Sequence, residues 1–262
     1  MMKRHKSIVD SRRNHIYQSL QENGTVKVDE LAESLGVSSL TIRRDLEFFE
    51  GKKLVERFYG GAMLVNKFVV RDNTSQNNAL AKHAIAKKAA EYVETGDTLF
   101  VNTSSTAILI LKYIKDKRVI IITNNGKAIF AEKDPMIQVV LTGGELREPK
   151  EAMVGEFAIN NLSRVTATKS FLGCSGMTAD TGITTAVLQE VAVNEMMLNR
   201  CVGPRIILAD SSKIGRDHSF VSGSIDKCTI LITDTHADPQ VVSAIKAAGV
   251  TIIQVEPLKS ID

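Results

Sequence analysis

The chain has no tryptophan, four tyrosines and only three cysteines among 262 residues. Cys174, Cys201 and Cys228 are widely spaced, and no two form a Cys-x-x-Cys pair. That spacing argues against a disulfide framework and against the ligand patterns of structural zinc. The three read instead as small buried apolar residues in a reducing compartment; no metal site and no cofactor is expected. Long apolar runs are also missing, since nothing approaches the roughly 18 consecutive apolar residues that cross a bilayer. The opening MMKRHKSIVDSRRNH is basic but lacks the apolar core, about 7–15 residues long, of a secretory signal. These absences predict a cytoplasmic protein with no membrane partner.

What is present looks globular. Hydrophobic residues make up 44% and charged residues 24%, and the length suffices for one small and one medium domain. The net charge of +3 is unevenly spread: residues 1–71 hold 13 Lys and Arg against 9 Asp and Glu, the remainder 20 against 21. A positive excess confined to the first quarter is a mild footprint for a polyanionic partner, though solvated helices often carry as much.

Apolar periodicity starts with a helix over Ile8 to Leu20, whose Ile8, Ile16 and Leu20 share a face with Val9 and Tyr17 beside them. Asn23-Gly24 suits its C-cap. Val26 and Val28 alternate with polar residues as a short extended link. A second helix begins near Asp29, a good N-cap, turns Leu31, Ala32 and Leu35 inward and stops at Gly36. Ser38 or Ser39 can cap a third helix, in which Leu40, Ile42, Leu46 and Phe49 are the apolar residues. Two short helices joined by a Gly-containing turn form a helix-turn-helix, here about residues 26–45. Leu54-Val55 and Ala62 to Val65, with a turn at Tyr59-Gly60-Gly61, add a β-hairpin wing. Residues 8–65 are therefore read as a winged helix-turn-helix domain and the polar stretch 66–78 as a linker.

From residue 79 to 258 the pattern becomes α/β. Helices at 79–93, 105–114, 127–132, 186–200 and 239–248 alternate with strands at 98–101, 118–123, 137–141, 170–173, 205–209, 229–233 and 251–255. Apolar runs such as VIIIT and TILIT suit strands covered on both faces, so a mainly parallel, Rossmann-like sheet is expected.

Two groups of residues carry candidate chemistry. A helix-turn-helix sets the start of its second helix into the major groove, where Ser38, Ser39, Thr41, Arg43 and Arg44 offer hydroxyls and guanidiniums to bases and phosphates. Arg43 and Arg44 point about 100° apart, so at most one faces a base squarely, while the other grips a phosphate or pairs with an acid such as Glu47. Lys52, Lys53 and Arg57 are expected at the flanking backbone. In the larger domain, polar or Gly-rich loops follow several strands, and ligands of open α/β sheets bind beyond the strands' carboxyl ends. Asn102, Ser104, Ser105 and Thr106 open a predicted helix whose N–H groups favour phosphate. Asn124, Gly143, Gly144, Gly176, Asp210 and Lys213 come from the other loops, with Lys213 as a phosphate countercharge. The plainer alternatives are that the hydroxyls cap a helix, Asp210 caps a turn and Lys213 is a solvated surface lysine.

Residues 26–62, through VDELAESLGVSSLTIRRDLEFFE and the GGA of RFYGGA, resemble the N-terminal domain of the DeoR family of bacterial repressors. KHAIAKKAA, VIIITNN, LTGGELR, FLGCSGM and LADSSKIG resemble its effector domain, which is related in fold to sugar-phosphate isomerases. The resemblance implies a repressor of a carbohydrate-utilisation operon, binding double-stranded operator DNA and released by a phosphorylated sugar or similar metabolite. Glu190 joins the effector-binding candidates on that basis. Three departures stand out. The wing reads RFYGGA where a His commonly precedes the glycines. The family's first loop commonly reads Asp-Ser-Gly-Thr-Thr, against Asn102-Thr103-Ser104-Ser105-Thr106. A Lys commonly lies four residues beyond Glu190, where this chain has Asn194.

An isomerase-like enzyme is the main rival. Glu190 and Lys213 could serve as base and enediolate stabiliser. Asn102 and Asn194 remove ionisable groups, however, and catalysis leaves the winged helix unexplained, so a regulator and no catalytic residue is expected. A DNA-binding protein with a non-functional sensor is the second rival. One recognition helix covers a half-site, so a homo-oligomer, dimer or tetramer, is expected.

Overall fold

The computed structural model describes Val9 and residues 12–13, 15–17, 19–20, 25–51, 54–58, 60–64, 73–148 and 150–261. Two compact units divide the chain, Met1–Gln76 and Asn77–Asp262.

In the smaller unit, residues 12–13, 15–17 and 19–20 are helical, followed by β1 (Thr25–Lys27), α1 (Val28–Leu35), α2 (Ser39–Gly51), β2 (Val55–Phe58) and β3 (Gly61–Leu64). The wing strands β2 and β3 pair antiparallel, and β1 joins them in the order β1-β3-β2. Gly61 permits this approach, because a Cβ there would lie 2.3 Å from the Val26 carbonyl oxygen. Ile16, Leu20, Leu31, Ile42, Leu46, Phe49 and Val55 are buried together, each full burial contributing roughly 1.5–3 kcal/mol.

Local details differ from the sequence reading. Asp29 does not cap α1. Val28 enters the helix straight from β1, its N–H donating to the Gly60 carbonyl at 2.9 Å, and Lys27 holds the cap position without a side-chain bond. Asp29 lies in the first turn, where its charge suits the helix's positive end, and accepts from Ser39 Oγ at 3.1 Å. Gly36 ends α1 at φ +63°. Ser38 caps α2, accepting from the Thr41 N–H at 3.3 Å. Leu40 is not a core residue: it is 60% exposed, because i,i+3 spacing puts it with Arg43 opposite the buried Ile42, Leu46 and Phe49.

The buried side of α2 also carries a charge. Asp45, 2% exposed, accepts from Arg12 Nε at 2.6 Å and Arg13 Nε at 2.8 Å. The Arg13 guanidinium lies 3.7 Å from the centre of the Phe48 ring. These contacts tie the first helix to α2.

α3 (Asn73–Ala90) begins in the last residues of the smaller unit and runs into the larger one, so residues 73–78, read as linker, are helical; polar composition is a weak guide against helix propagation. Seven parallel strands then form one sheet. In chain order these are β4 (Thr98–Val101), β5 (Val119–Thr123), β6 (Ile137–Leu141), β9 (Lys169–Leu172), β12 (Arg205–Leu208), β14 (Ile230–Asp234) and β15 (Thr251–Val255). Their spatial order is β15-β14-β12-β9-β4-β5-β6. Alternate residues feed two cores. Phe100, Ile122, Leu172, Ile207 and Leu231 pack with Leu162 of Glu156–Ser163, Val193 and Met197 of Leu188–Asn199, and Ile245 of Pro239–Ala247. Leu99, Val101, Ile121, Phe171 and Ile206 pack with Ile85 and Ala89 of α3 and with Ile110 and Leu111. Helices therefore cover both faces, as the continuous apolar strands require.

The chain leaves β4 for β5 and β6 on one side, then crosses to β9 and beyond on the other, so the β4 and β9 loops flank a topological switch point. Short antiparallel elements missed in the sequence are added here: the hairpin β7 (Glu145–Arg147) and β8 (Ala152–Val154), and a sheet of β10 (Gly176–Thr178), β11 (Gly182–Thr185) and β13 (Phe220–Gly223). The helix expected at 105–114 is a 3₁₀ turn, Ala107–Leu109, leading into one α-turn, Ile110–Tyr113; that expected at 127–132 is a 3₁₀ turn, Gly126–Ile129. In both places side chains of the preceding residues (Ser104, Asn125) bond the first backbone N–H groups and favour tight turns.

Candidate functional site

On α2 the exposed side carries Leu40, Arg43, Arg44 and Glu47, at the i,i+3,i+4 spacing of one face. Neither arginine has an ion pair among the described residues. Glu47, weighed as a partner for them, is instead bonded by Arg57 at 3.1 Å, and Arg57 Nε reaches Glu50 at 2.8 Å. The wing arginine is thus held by two acids of α2. Such exposed pairs are worth about 0–1 kcal/mol, so a phosphate could displace them at little cost. The hydroxyls are committed locally: Ser38 and Thr41 bond each other at 2.9 Å, and Ser39 bonds Asp29. Lys52, Lys53 and the Tyr59 turn residue lie outside the described residues.

At the switch point Asn102, 3% exposed, uses its whole amide. Its oxygen accepts from Gly173 N at 2.9 Å and Ser104 N at 3.2 Å; its Nδ2 donates to the Gly173 carbonyl at 2.9 Å and Asn194 Oδ1 at 3.0 Å. Asn194, 5% exposed, donates on to Ser222 Oγ at 3.4 Å. Asn102 and Asn194 are therefore bonded to each other, a partnership that the sequence showed only as two separate departures. Ser104 Oγ accepts from Thr106 N at 3.1 Å and Ala107 N at 3.3 Å. The same hydroxyl presses on Gly173, where a Cβ would lie 1.9 Å from it.

Beside this cluster Glu190, 5% exposed, is bonded by Thr185 Oγ1 at 3.2 Å and Lys150 Nζ at 3.4 Å. Lys82 of α3 donates to Ser105 Oγ at 3.3 Å. Lys150 and Thr185 had no distinguishing local pattern in the sequence, and Lys82, within KHAIAKKAA, was not singled out as a site residue. Asn124, 1% exposed at the end of β5, donates to the Met153 carbonyl at 3.1 Å, and its Oδ1 is buried without a hydrogen-bond partner among the described residues.

The remaining candidates are spread wider. Gly143 and Gly144 follow β6, two strands from β4. Gly144 (φ +113°) has a packing reason to be glycine, because a Cβ there would lie 2.5 Å from the Val154 carbonyl oxygen and 3.1 Å from Ala158. Gly176 has one too, since its Cβ would lie 2.2 Å from the Arg216 carbonyl oxygen. Asp210, two strands away on the other side, caps the Ser211–Lys213 turn. Lys213 is half-buried, with no ion pair among the described residues. Burial pushes the nearby Cys174 thiol up to about 12, slightly relieved by the Lys213 charge, so it stays a neutral thiol rather than a nucleophile. Among the described residues, no three His, Cys, Asp or Glu side chains gather to hold a metal, and no helix is long and apolar enough to cross a membrane.

Comparison with known proteins matches residues 12–68 to the DeoR-like helix-turn-helix domain and residues 77–235 to the DeoR C terminal sensor domain. The chain is 32% identical over 253 residues to the uncharacterized HTH-type transcriptional regulator YulB of Bacillus subtilis, covering 95% of this chain and 97% of that protein. It is 31% identical over 236 residues to the lactose phosphotransferase system repressor of Streptococcus mutans, covering 87% and 93%. Among solved structures, ribose 5-phosphate isomerase A of Methanocaldococcus jannaschii is similar at 17% identity over 52% of this chain and 54% of that one, with a TM-score of 0.37.

Proposed function

The chain belongs to the DeoR family of helix-turn-helix transcriptional regulators, and on that premise we propose that it represses a carbohydrate-utilisation operon until a phosphorylated sugar or related metabolite binds its α/β unit. The observation that carries the DNA half is the exposed face of α2, where Arg43 and Arg44 stand without ion-pair partners among the described residues. Thr41, with Ser38 and Ser39 at the helix start, lies on the approach to bases and phosphates. Leu40, exposed on the same face, is suited to a thymine methyl group. Lys52, Lys53 and Arg57 are assigned to the flanking backbone.

The effector site is assigned to the strand ends around Asn102, Ser104, Ser105, Thr106, Asn124 and Glu190. Gly143, Gly144, Gly176, Asp210 and Lys213 form its wider rim. Two side chains at its centre, Asn102 and Asn194, are amides that carry no titratable proton, which supports sensing rather than catalysis. The protein acts on DNA in the cytoplasm as a homo-oligomer, because one α2 reads one half-site.

Fluorescence anisotropy on DNA upstream of its own gene and of neighbouring genes tests this, at two salt concentrations and with a panel of phosphosugars. Salt-sensitive, site-specific binding released by one panel member is expected. Absence of specific binding at both salts would overturn the assignment.

A further inference from the structure

We propose that the effector meets the switch-point crevice with a hydroxyl-bearing, hydrogen-bond-donating end, and that Ser104 closes the loop after β4 to phosphate. The inference rests on reading these strand ends as the effector site.

A phosphate needs free donors, and three of this loop's N–H groups are already spent within it. The N–H groups of Thr106 and Ala107 open the 3₁₀ turn after β4, and both donate to Ser104 Oγ. The Ser104 N–H donates to Asn102, and the Asn102 amide has two donations and two acceptances in place. An amide has no further capacity. The Ser104 side chain also fills space, wedged against Gly173 of the neighbouring β9 loop. Charge is not what the loop lacks, because Lys82 reaches Ser105. What is closed is the pair of amide donors at the start of the 3₁₀ turn, and Ser104 is the residue that occupies them.

One strand away, the demand is of the opposite kind. Asn124 is buried and its Nδ2 is committed to the Met153 carbonyl, which leaves Oδ1 as the amide atom without a partner among the described residues. A buried acceptor calls for a donor. Ionised phosphate oxygens only accept, whereas a sugar or polyol hydroxyl donates. The two observations are independent, and both favour a neutral hydroxylated end over an anionic one. Ser104 and Asn124 are thereby specificity-determining residues, and any phosphate on the ligand lies away from the β4 loop.

The full chain is titrated with inorganic phosphate, and separately with free sugars, polyols and their phosphate monoesters, following thermal unfolding and ligand-binding calorimetry. Phosphate is expected to bind and stabilise Ser104→Gly more strongly than the wild type; Ser104→Ala, which removes the hydroxyl but keeps Cβ, covers a folding failure of the glycine variant. A hydroxylated ligand that stabilises the wild type should bind Asn124→Ala about tenfold or more weakly and Ser104→Gly no more weakly. Asn124→Leu, apolar and of similar size, repeats that arm should the alanine variant misfold. The proposal is overturned by phosphate binding the Ser104 variants no better than the wild type, or by undiminished ligand affinity in the Asn124 variants. If no compound in the panel binds or releases DNA, the effector-site reading fails separately, and the phosphate arm still decides on Ser104.

Discussion

Replacing Asp45 by Asn keeps the shape of the side chain and removes its charge from beneath α2. In the wild type each carboxylate oxygen accepts one arginine Nε, at 2.6 and 2.8 Å. Hydrogen bonds to charged groups contribute about 1.5–3 kcal/mol, against about 1 for neutral ones. The amide keeps one acceptor oxygen and turns an NH₂ group toward the other guanidinium, so one bond is lost and one is weakened. Breaking a fully buried ion pair costs about 3–5 kcal/mol. The cost here is smaller because the Arg12 and Arg13 side chains remain 16% and 25% exposed and can regain water, and because Arg13 keeps its stack on Phe48. The expected loss is about 2–3 kcal/mol, a large share of the roughly 5 kcal/mol that stabilises a small domain. Native-state hydrogen exchange on the full chain reads this unit by itself. The amides of Leu46 and Phe49 should exchange about 30- to 150-fold faster in Asp45→Asn, while those of β4 and β9 stay unchanged. Arg12→Ala and Arg13→Ala should each cost less, about 1 kcal/mol, because Asp45 retains its other partner. A protection loss below about threefold in Asp45→Asn would refute the reasoning, and so would strictly additive arginine losses.

Three further outcomes are expected. Arg43→Ala or Arg44→Ala should weaken operator binding by about 1–3 kcal/mol where the side chain meets a base, with relaxed specificity at one position; where it meets a phosphate the loss is uniform across sequences and the salt slope shallower. Anisotropy titrations separate these, and wild-type binding by both variants would dismiss this face of α2. Asn102→Asp should destabilise the larger unit by about 2 kcal/mol, because a carboxylate oxygen replaces the donor to Gly173 and Asn194. Asn194→Lys in the same chain should restore at least half of that, and a double-mutant cycle with no coupling would count against the pairing. Finally, burial alone would raise the pKa of Asp97, but bonds from Lys169, the Glu94 N–H and Thr168 outweigh it and hold the carboxyl below 3.8. Burial likewise opposes the charge on Lys169, yet Asp97 and Glu94 raise it above 10.5. A depressed carboxyl stabilises above its unfolded pKa and loses that contribution as pH falls through the folded one; a raised lysine stabilises below its unfolded pKa and loses it as pH rises through the folded one. Thermal midpoints from this pair should thus be flat from about pH 4 to 10 and fall outside it. Asp97→Asn should lower the plateau and flatten the acid limb; an unchanged acid limb would contradict the assignment.

The sequence by itself determined the elements whose signals are local. The spacing of Ile42, Leu46 and Phe49 set the buried side of α2, Gly36 ended the preceding helix, and runs such as VIIIT specified strands covered on both faces. Each follows from periodicity or from the backbone freedom of one residue type, which neighbours along the chain suffice to fix. Only the tertiary structure decided which distant residues meet. Asp45 gives no sign in the sequence that two arginines more than 30 positions away bond it. Asn102 and Asn194 are 92 residues apart and become partners only because β4 and β9 lie side by side under the helix Leu188–Asn199. The short strands β7, β8, β10, β11 and β13 were illegible for the same reason, since three or four residues carry too little periodicity and are held by pairing rather than propensity. Whether the hydroxyl of Ser104 caps its own loop or leaves it open for a ligand was likewise undetermined, because both outcomes use the same residue. Hydrogen-bond ownership depends on distances of a few tenths of an ångström between elements, and only the packed fold sets those.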